Sequence, residues 1–491
     1  MYHWISIEEP EDYDELTSLI DPFDYGTGEV ARWARTNLTS DVGGVLVEYP
    51  YVDKDYRSTF YNYYSKKGAP YSPHSARLHL FKKGWTMLGE PIRLAFNGEE
   101  LSPEKEIGDG YLGFIVVRPT KIQTIGRSLL SPYALKNVKG RLIEHKHKCH
   151  VMGYRAHVKG FPYMQQHSDI AVCAHTACWA VLRHYSERYS LYPEVLVHDI
   201  SHKGGEFVSG GLLPSLGLTA RDAERIFAAF GTFPLLVHGS DQEGADKTGI
   251  RFFDEMLAYL ESGFPLFGIQ ARRGHAVAIV GYRASQHAQG AEAEYRGRAW
   301  DYVSHLLVVD DNHPPYFSVS RVAAGSDYLV DAFDGFIVPL PEKLFLPAGR
   351  ALDFAEEVLN VPPDNFEYLE GRKDLVTRCF VTTTASWHRF IRTHAGSLPS
   401  EFATLALELP MPQFIWVVEF ATPQQRNANQ VEARLILDAT AGTNDAFPAF
   451  LLHGSKGALW LDRANREPMQ YQPFVHQVPA LSEMVSNLAT Y

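Results

Sequence analysis

Two apolar runs limit what this chain can fold into, and each is headed by a reactive side chain. Cys173-Ala-His-Thr-Ala-Cys178-Trp179-Ala-Val-Leu is small and apolar and reads as a buried helix. His275-Ala-Val-Ala-Ile-Val-Gly281-Tyr282 is β-branched and reads as a central strand. Helix and strand together define an α+β unit, with a cysteine at the start of one and a histidine at the start of the other.

A thiol at a helix N-terminus faces unpaired backbone N–H groups and the positive end of the helix dipole, and both favour thiolate. Gln166 stands seven positions ahead of Cys173, where its amide could join the cysteine N–H in holding a developing oxyanion. The lead-in to the histidine is a helix over Ile250–Leu260, a turn at Ser262-Gly263 and a short apolar segment from Phe264. The turn Arg272-Arg273-Gly274 then delivers His275 to its strand. A third group must fix the imidazole tautomer. The strand His305-Leu-Leu-Val-Val runs into Asp310-Asp311-Asn312 and a Pro-rich turn; Asp311 is taken as the acceptor, with Asp310 and Asn312 open. Cys178 is the rival nucleophile, but it stands twelve positions from Gln166 and more than a turn inside an apolar helix.

This order of Gln, Cys, Gly-His strand and Asp strand resembles the papain-like cysteine peptidase superfamily. Within it, the chain is most similar to the bacteriocin-leader-processing (double-glycine) peptidases. Gln166, Cys173-Ala-His-Thr-Ala, Gly263-Phe-Pro265, Gly274-His275 and Val309-Asp310-Asp311 carry the resemblance, over roughly residues 155–345. Ala174 stands where that group has glycine, and the polar stretch from Ser285 to Gly297 reads as an inserted loop. The resemblance implies a papain-like domain, a helical half plus an antiparallel sheet, over 151–348. It would be flanked by α+β domains over 1–150, with a recognition or regulatory role, and 349–491. It also implies a cysteine peptidase acting on a peptide or isopeptide bond, with Cys173 as nucleophile, His275 as base, Asp311 orienting it and Gln166 as oxyanion donor. Such an enzyme would be narrow in specificity and regulated within a larger intracellular, defence-like system. The alternatives are an acyl or peptidyl transferase using the same site, and a non-catalytic binding protein of the same fold.

At 491 residues the chain exceeds one core. A net charge of −12, spread along the sequence, argues against a nucleic-acid partner. Four cysteines are too few for a disulfide scaffold and suit a reducing compartment. The start Met1-Tyr-His-Trp-Ile-Ser has neither the basic nor the apolar segment of a secretory signal, and no apolar run approaches the ~20 residues of a membrane span. The expectation is a cytoplasmic protein, not membrane-bound and without a cofactor. It would act on a protein or peptide substrate, with a protein partner on the N- or C-terminal domain.

Three further patterns bear on function. Glu48, Asp53, Asp55, Arg57 and Arg77 lie among aromatics and form either a recognition surface or a salt-bridged core edge. His145, His147 and Cys149 would share one strand face with zinc-like chemistry, but no fourth ligand is evident. Charge alternation there also suits a solvated edge strand, and no metal is assigned. Thr219-Ala-Arg-Asp222 is a capping box opening a helix to Phe230, and the glycine pairs at 204–205 and 210–211 suggest a loop near the cleft. In the last third, helices are expected over Gly349–Leu359, Ala385–His394 and Ala480–Leu488, with paired strands at Phe414–Phe420 and Glu432–Asp438 separated by a polar loop over Thr422–Asn429.

Overall fold

The computed structural model describes residues 1–20, 28–89, 92–102, 104–120, 124–166, 173–203, 218–239, 250–285, 297–321, 328–341, 343–442, 445, 448–461, 470–473 and 488–491. The expected loops at 204–217 and 286–296, and all but the last residue of the expected helix at 480–488, lie outside them.

The chain begins with an antiparallel sheet of β1 (Tyr2–Ser6), β2 (Val42–Tyr51), β3 (Ser75–Lys82), β4 (Tyr111–Arg118) and β5 (Ser128–Leu130). Next, β6 (Arg141–Ile143) departs to a second sheet. The hairpin of β7 (His145–Val151) and β8 (Tyr154–Tyr163) then returns to the first sheet, β8 pairing with β5 and β7 lying at the edge. Position 150 thus falls inside a hairpin. The helix α1 (Lys54–Asn62) sits between β2 and β3, its start fixed by the Asp53 carboxylate accepting from Tyr56 N–H.

Directly after β8 comes α2 (Cys173–Arg188), buried continuously from Ala174 to Tyr185. A helix apolar all round belongs inside a core. On one flank α2 meets β7 and β8 of the first sheet, and on another the central strand of the second. The helix α3 (Ala220–Ala229) opens with the expected capping box, Thr219 and Asp222 each bonding the other's backbone N–H.

The second sheet contains β9 (Phe233–His238), β10 (Leu266–Gln270), β11 (His275–Ala284), β12 (Val303–Val309), β13 (Phe317–Ser320) and β14 (Gly335–Leu340), with α4 (Ile250–Glu261) between β9 and β10. Its order is β9-β14-β10-β11-β6, closed by a strand from the end of the described chain, Leu488–Thr490, while β12 pairs the other side of β11. Leu488 was expected to end a helix; instead it pairs with Ile143 in this sheet. Ala276 to Tyr282 of β11 are all buried, as a strand covered on both faces requires.

After α5 (Ala348–Asn360), six strands form a third antiparallel sheet, led by β15 (Val376–Thr383), β16 (Phe414–Ala421) and β17 (Ala433–Asp438). A helix over Thr384–Thr393 packs Trp387, Phe390 and Ile391 on it. The polar stretch after β16, read as a loop, holds a short helix, Pro423–Asn427, capped by Thr422 and Gln425.

Buried charge ties the second and third sheets. Glu261, at the end of α4, receives Arg378 of β15 at 2.6 Å, Arg141 of β6 at 3.4 Å and the Tyr282 hydroxyl of β11. Burial raises the Glu261 pKa, but the two guanidiniums and the hydroxyl outweigh it and bring it down to about 2. Removing one member of such a network strands the others without water. Glu261→Ala is expected to destabilise the protein by about 3–5 kcal/mol, read from the urea unfolding midpoint. An unchanged midpoint would mean that the guanidiniums find other partners.

Candidate active site

Cys173 is the first residue of α2 and half-buried. Its Sγ lies 4.0 Å from the Gly274 carbonyl. Gly274 itself has φ +58°, the left-handed conformation that ends the short 3₁₀ turn Ala271–Arg273 and starts β11 at His275. The turn that places His275 therefore also lies against Cys173.

The imidazole Nε2 lies 3.1 Å from Asp310 Oδ2, and the Cys173 thiol is the ring's other polar neighbour. Burial alone would lower the His275 pKa, but Asp310 and Cys173 override it and push it up to about 10. Burial would raise Asp310; it is held well below the usual carboxylate range by His275, by the Asn312 N–H at 2.9 Å on Oδ1, and by the Tyr328 hydroxyl at 2.7 Å on Oδ2.

The acceptor is thus Asp310 and not Asp311, and sheet register explains why. Ala278 of β11 faces Val309 of β12. One further pair would set Asp310 across from Val277, on the face of His275, whereas Asp311 already belongs to the turn that follows the strand. Asp311 is buried, its Oδ2 has no hydrogen-bond partner among the described residues, and its other oxygen accepts from Asn312 Nδ2 at 3.4 Å. Burial and the neighbouring Asp310 charge push its pKa up to about 7, far above the usual carboxylate range, while Asp310 is held down. His275, Asp310 and Asp311 also bring one donor atom each within 4.8 Å of one another, a set that a metal could accept. Both Asp310 oxygens already take N–H or O–H donors, which fits the orienting of a histidine better.

Gln166 is brought to the same side of the site. Its Nε2 donates to Asn312 Oδ1 at 3.3 Å. The chain before it is clamped by Arg118, which donates to the carbonyls of Gln165 at 2.6 Å and Ile125 at 2.5 Å. The turn bearing Asp310 is tethered to the same sheet. Tyr163 OH donates to the His313 carbonyl, and Tyr316 OH bridges Phe161 N–H and the Leu130 carbonyl, each at 2.8 Å.

Cys178 is placed elsewhere. It is fully buried, and desolvation raises its thiol pKa. The two cysteines share α2, yet only Cys173 meets the imidazole. Tyr328 and Arg118 went unnoticed in the sequence: both act through contacts distant along the chain, and neither lies in a local motif.

The charged patch at Glu48–Arg77 is a core edge. Asp53 accepts from Arg127 at 3.2 Å, and Asp55 accepts from Trp179 Nε1, on α2, at 3.1 Å. Of the metal-like trio, His147 pairs with Glu187 at 3.7 Å and the Cys149 thiol is buried near Arg77, while β7 is an edge strand.

The fold and this cluster define an α+β protein with a cysteine and a hydrogen-bonded aspartate beside one histidine. Residues 158–292 match the Peptidase_C39 like family, a family of cysteine peptidases, and this stretch holds Gln166, Cys173 and His275. No curated protein and no solved structure matches the chain. Among the described residues, no helix is long and apolar enough to cross a membrane.

Native protein treated with iodoacetamide at pH 6 is expected to label at Cys173 and not at Cys178. His275→Ala should slow that labelling at least tenfold, because no imidazole then takes the thiol proton. Mass spectrometry of the digested protein reads both; preferential labelling of Cys178 would move the nucleophile.

Proposed function

We propose that the chain is a cysteine peptidase that hydrolyses a peptide or isopeptide bond through Cys173, His275 and Asp310. The observation that carries this reading is the His275 ring, hydrogen-bonded to the Asp310 carboxylate and near enough to the Cys173 thiol for both to raise its pKa. His275 accepts the thiol proton and sulfur attacks the carbonyl carbon. The C–N bond breaks as His275 returns the proton to the leaving amine. Water then adds to the thioester with His275 as base, the C–S bond breaks, and the acid and the free thiol are released.

Gln166 keeps a role in that scheme. A side-chain amide has two N–H donors; one is spent on Asn312 and the other is left for the oxyanion, next to the Cys173 N–H. The flanking parts of the chain would present or restrain a protein or peptide substrate, giving narrow specificity. All four cysteines are unpaired, which supports a reducing, cytoplasmic setting.

Peptide-library digestion followed by mass spectrometry tests the reading. Cys173→Ala should abolish cleavage, and Gln166→Ala should lower kcat by roughly 10²–10³. Products that carry an added amine nucleophile in place of water would identify a transferase instead. Absence of any acylated or cleaved product, with Cys173 reactive, would leave a binding protein.

The pH profile carries a second expectation. His275 must be protonated to return its proton to the amine, and a raised pKa keeps it protonated further into alkali. The alkaline limb of kcat/KM is therefore expected near the folded value of about 10. Asp310→Asn should move it down toward the ordinary imidazole range near 6.5. A limb unmoved by Asp310→Asn would assign it to another group.

A further inference from the structure

A cavity of about 240 Å³ lies away from the catalytic cluster, between the first sheet, the β7–β8 hairpin and α2. Arg77, Arg127, Arg183, His147, Phe114 and Glu187 line it. Residues 147–150 all contribute to one wall, which consecutive strand residues do when the strand presents its edge. An edge strand also offers backbone groups free of pairing.

Arg77 is the anomaly. It is 8 % exposed, and its Nε has no hydrogen-bond partner among the described residues. It stacks on Phe114 at 4.0 Å and Tyr51 at 5.1 Å, both apolar faces. Its cross-strand partner Glu48 spends its carboxylate on Tyr2 at 3.3 Å and His79 at 3.2 Å. A guanidinium buried without a carboxylate hydrogen-bonded to it is costly unless an anion meets it. His147 adds a second unused polar group, being 6 % exposed with Nδ1 toward Glu187 and Nε2 unpartnered. Arg127 and Arg183 bind Asp53, Glu187 and Glu194, yet each guanidinium has five N–H donors and these bonds leave some over.

We propose that this cavity is a binding site for a small phosphate-bearing ligand. Guanidinium forks match phosphate oxygens. A hydrogen phosphate carries acceptors for Arg77 and an O–H that the His147 ring can accept, whereas a carboxylate only accepts. The volume exceeds one phosphate group and leaves room for a compact organic part against Phe114. Arg183 and Glu187 belong to α2, so the ligand would sit against the helix that bears Cys173.

Calorimetric titration of the full chain at low ionic strength tests this, with inorganic phosphate, adenosine 5′-monophosphate and acetate as separate probes. Saturable binding of phosphate or the monophosphate, and not of acetate, is expected. Arg77→Met and His147→Gln should each weaken it at least tenfold. Tighter binding of the monophosphate than of phosphate would identify a phosphomonoester as occupant, and the reverse would identify free phosphate. The proposal is overturned if neither phosphate probe binds the wild type, if acetate binds as well as they do, or if both variants bind undiminished. Should Arg77→Met fail to fold by its Tm, His147→Gln decides alone. The readout is binding, so it stands apart from the peptidase reading.

Discussion

The burial of α2 from Ala174 to Tyr185 is the constraint on which the other parts depend. Three helical turns with no solvent face must be covered by two layers. The first sheet provides one and the second sheet the other, and Cys173 emerges only at the N-terminus, where the helix leaves the core. The polar atoms of so buried a helix need partners. Trp179 finds Asp55, and Arg183 finds Glu187, Glu194 and the Val195 carbonyl. Those bonds reach from the helix into segments well before and after it, so the thiol position reflects the first sheet as much as the second.

The same sheet reaches the opposite wall of the site. Arg118 at the end of β4 grips the carbonyl before Gln166, and Tyr163 and Tyr316 tie β8 and β5 to the turn after Asp310. Tyr316 adopts φ +64°, a backbone conformation a bulky residue takes only when its surroundings enforce it. Its hydroxyl bridge supplies that enforcement. Electrostatics then divide two adjacent aspartates. Asp310 meets donors from His275, Asn312 and Tyr328 and its pKa is held down; Asp311, one residue on, meets burial and its neighbour's charge and its pKa is raised. A single negative charge beside His275 sustains its imidazolium, and a second would bring desolvation and repulsion without a donor to hold it.

Local patterns were legible in the sequence, and distances between patterns were not. The small apolar residues after Cys173, the β-branched run after His275 and the capping box at Thr219 each encode their element within a few residues. The capping box at Thr422-Pro-Gln-Gln425 carried an equally readable signal, including Pro at the first helical turn, and was passed over as a polar loop. The choice between Asp310 and Asp311 was of another kind. It turns on the register between β11 and β12 and on where β12 gives way to its turn, neither of which a single sequence carries. Tyr328, Arg118 and the Trp179–Asp55 bond were equally out of reach, since each joins segments brought together only by the sheets. The charged residues around Asp53 and Arg77 could be read either way until burial distinguished a core edge from a surface.

The extent of the family match follows from this construction. It runs from within β8 to residue 292, past β11 but short of β12. That span holds the nucleophile helix, the glutamine and the histidine strand, which local sequence encodes. Asp310 falls outside it, as do Arg118 and, β8 apart, the strands of the first sheet. In this chain the group that orients the imidazole and the clamp ahead of Gln166 therefore come from regions beyond the matched stretch. A fragment cut to residues 158–292 would expose the flank of α2 that the first sheet covers, strand Arg183 from Asp55, and leave His275 without its carboxylate. The structural unit that holds the cluster is the helix together with both of its sheets.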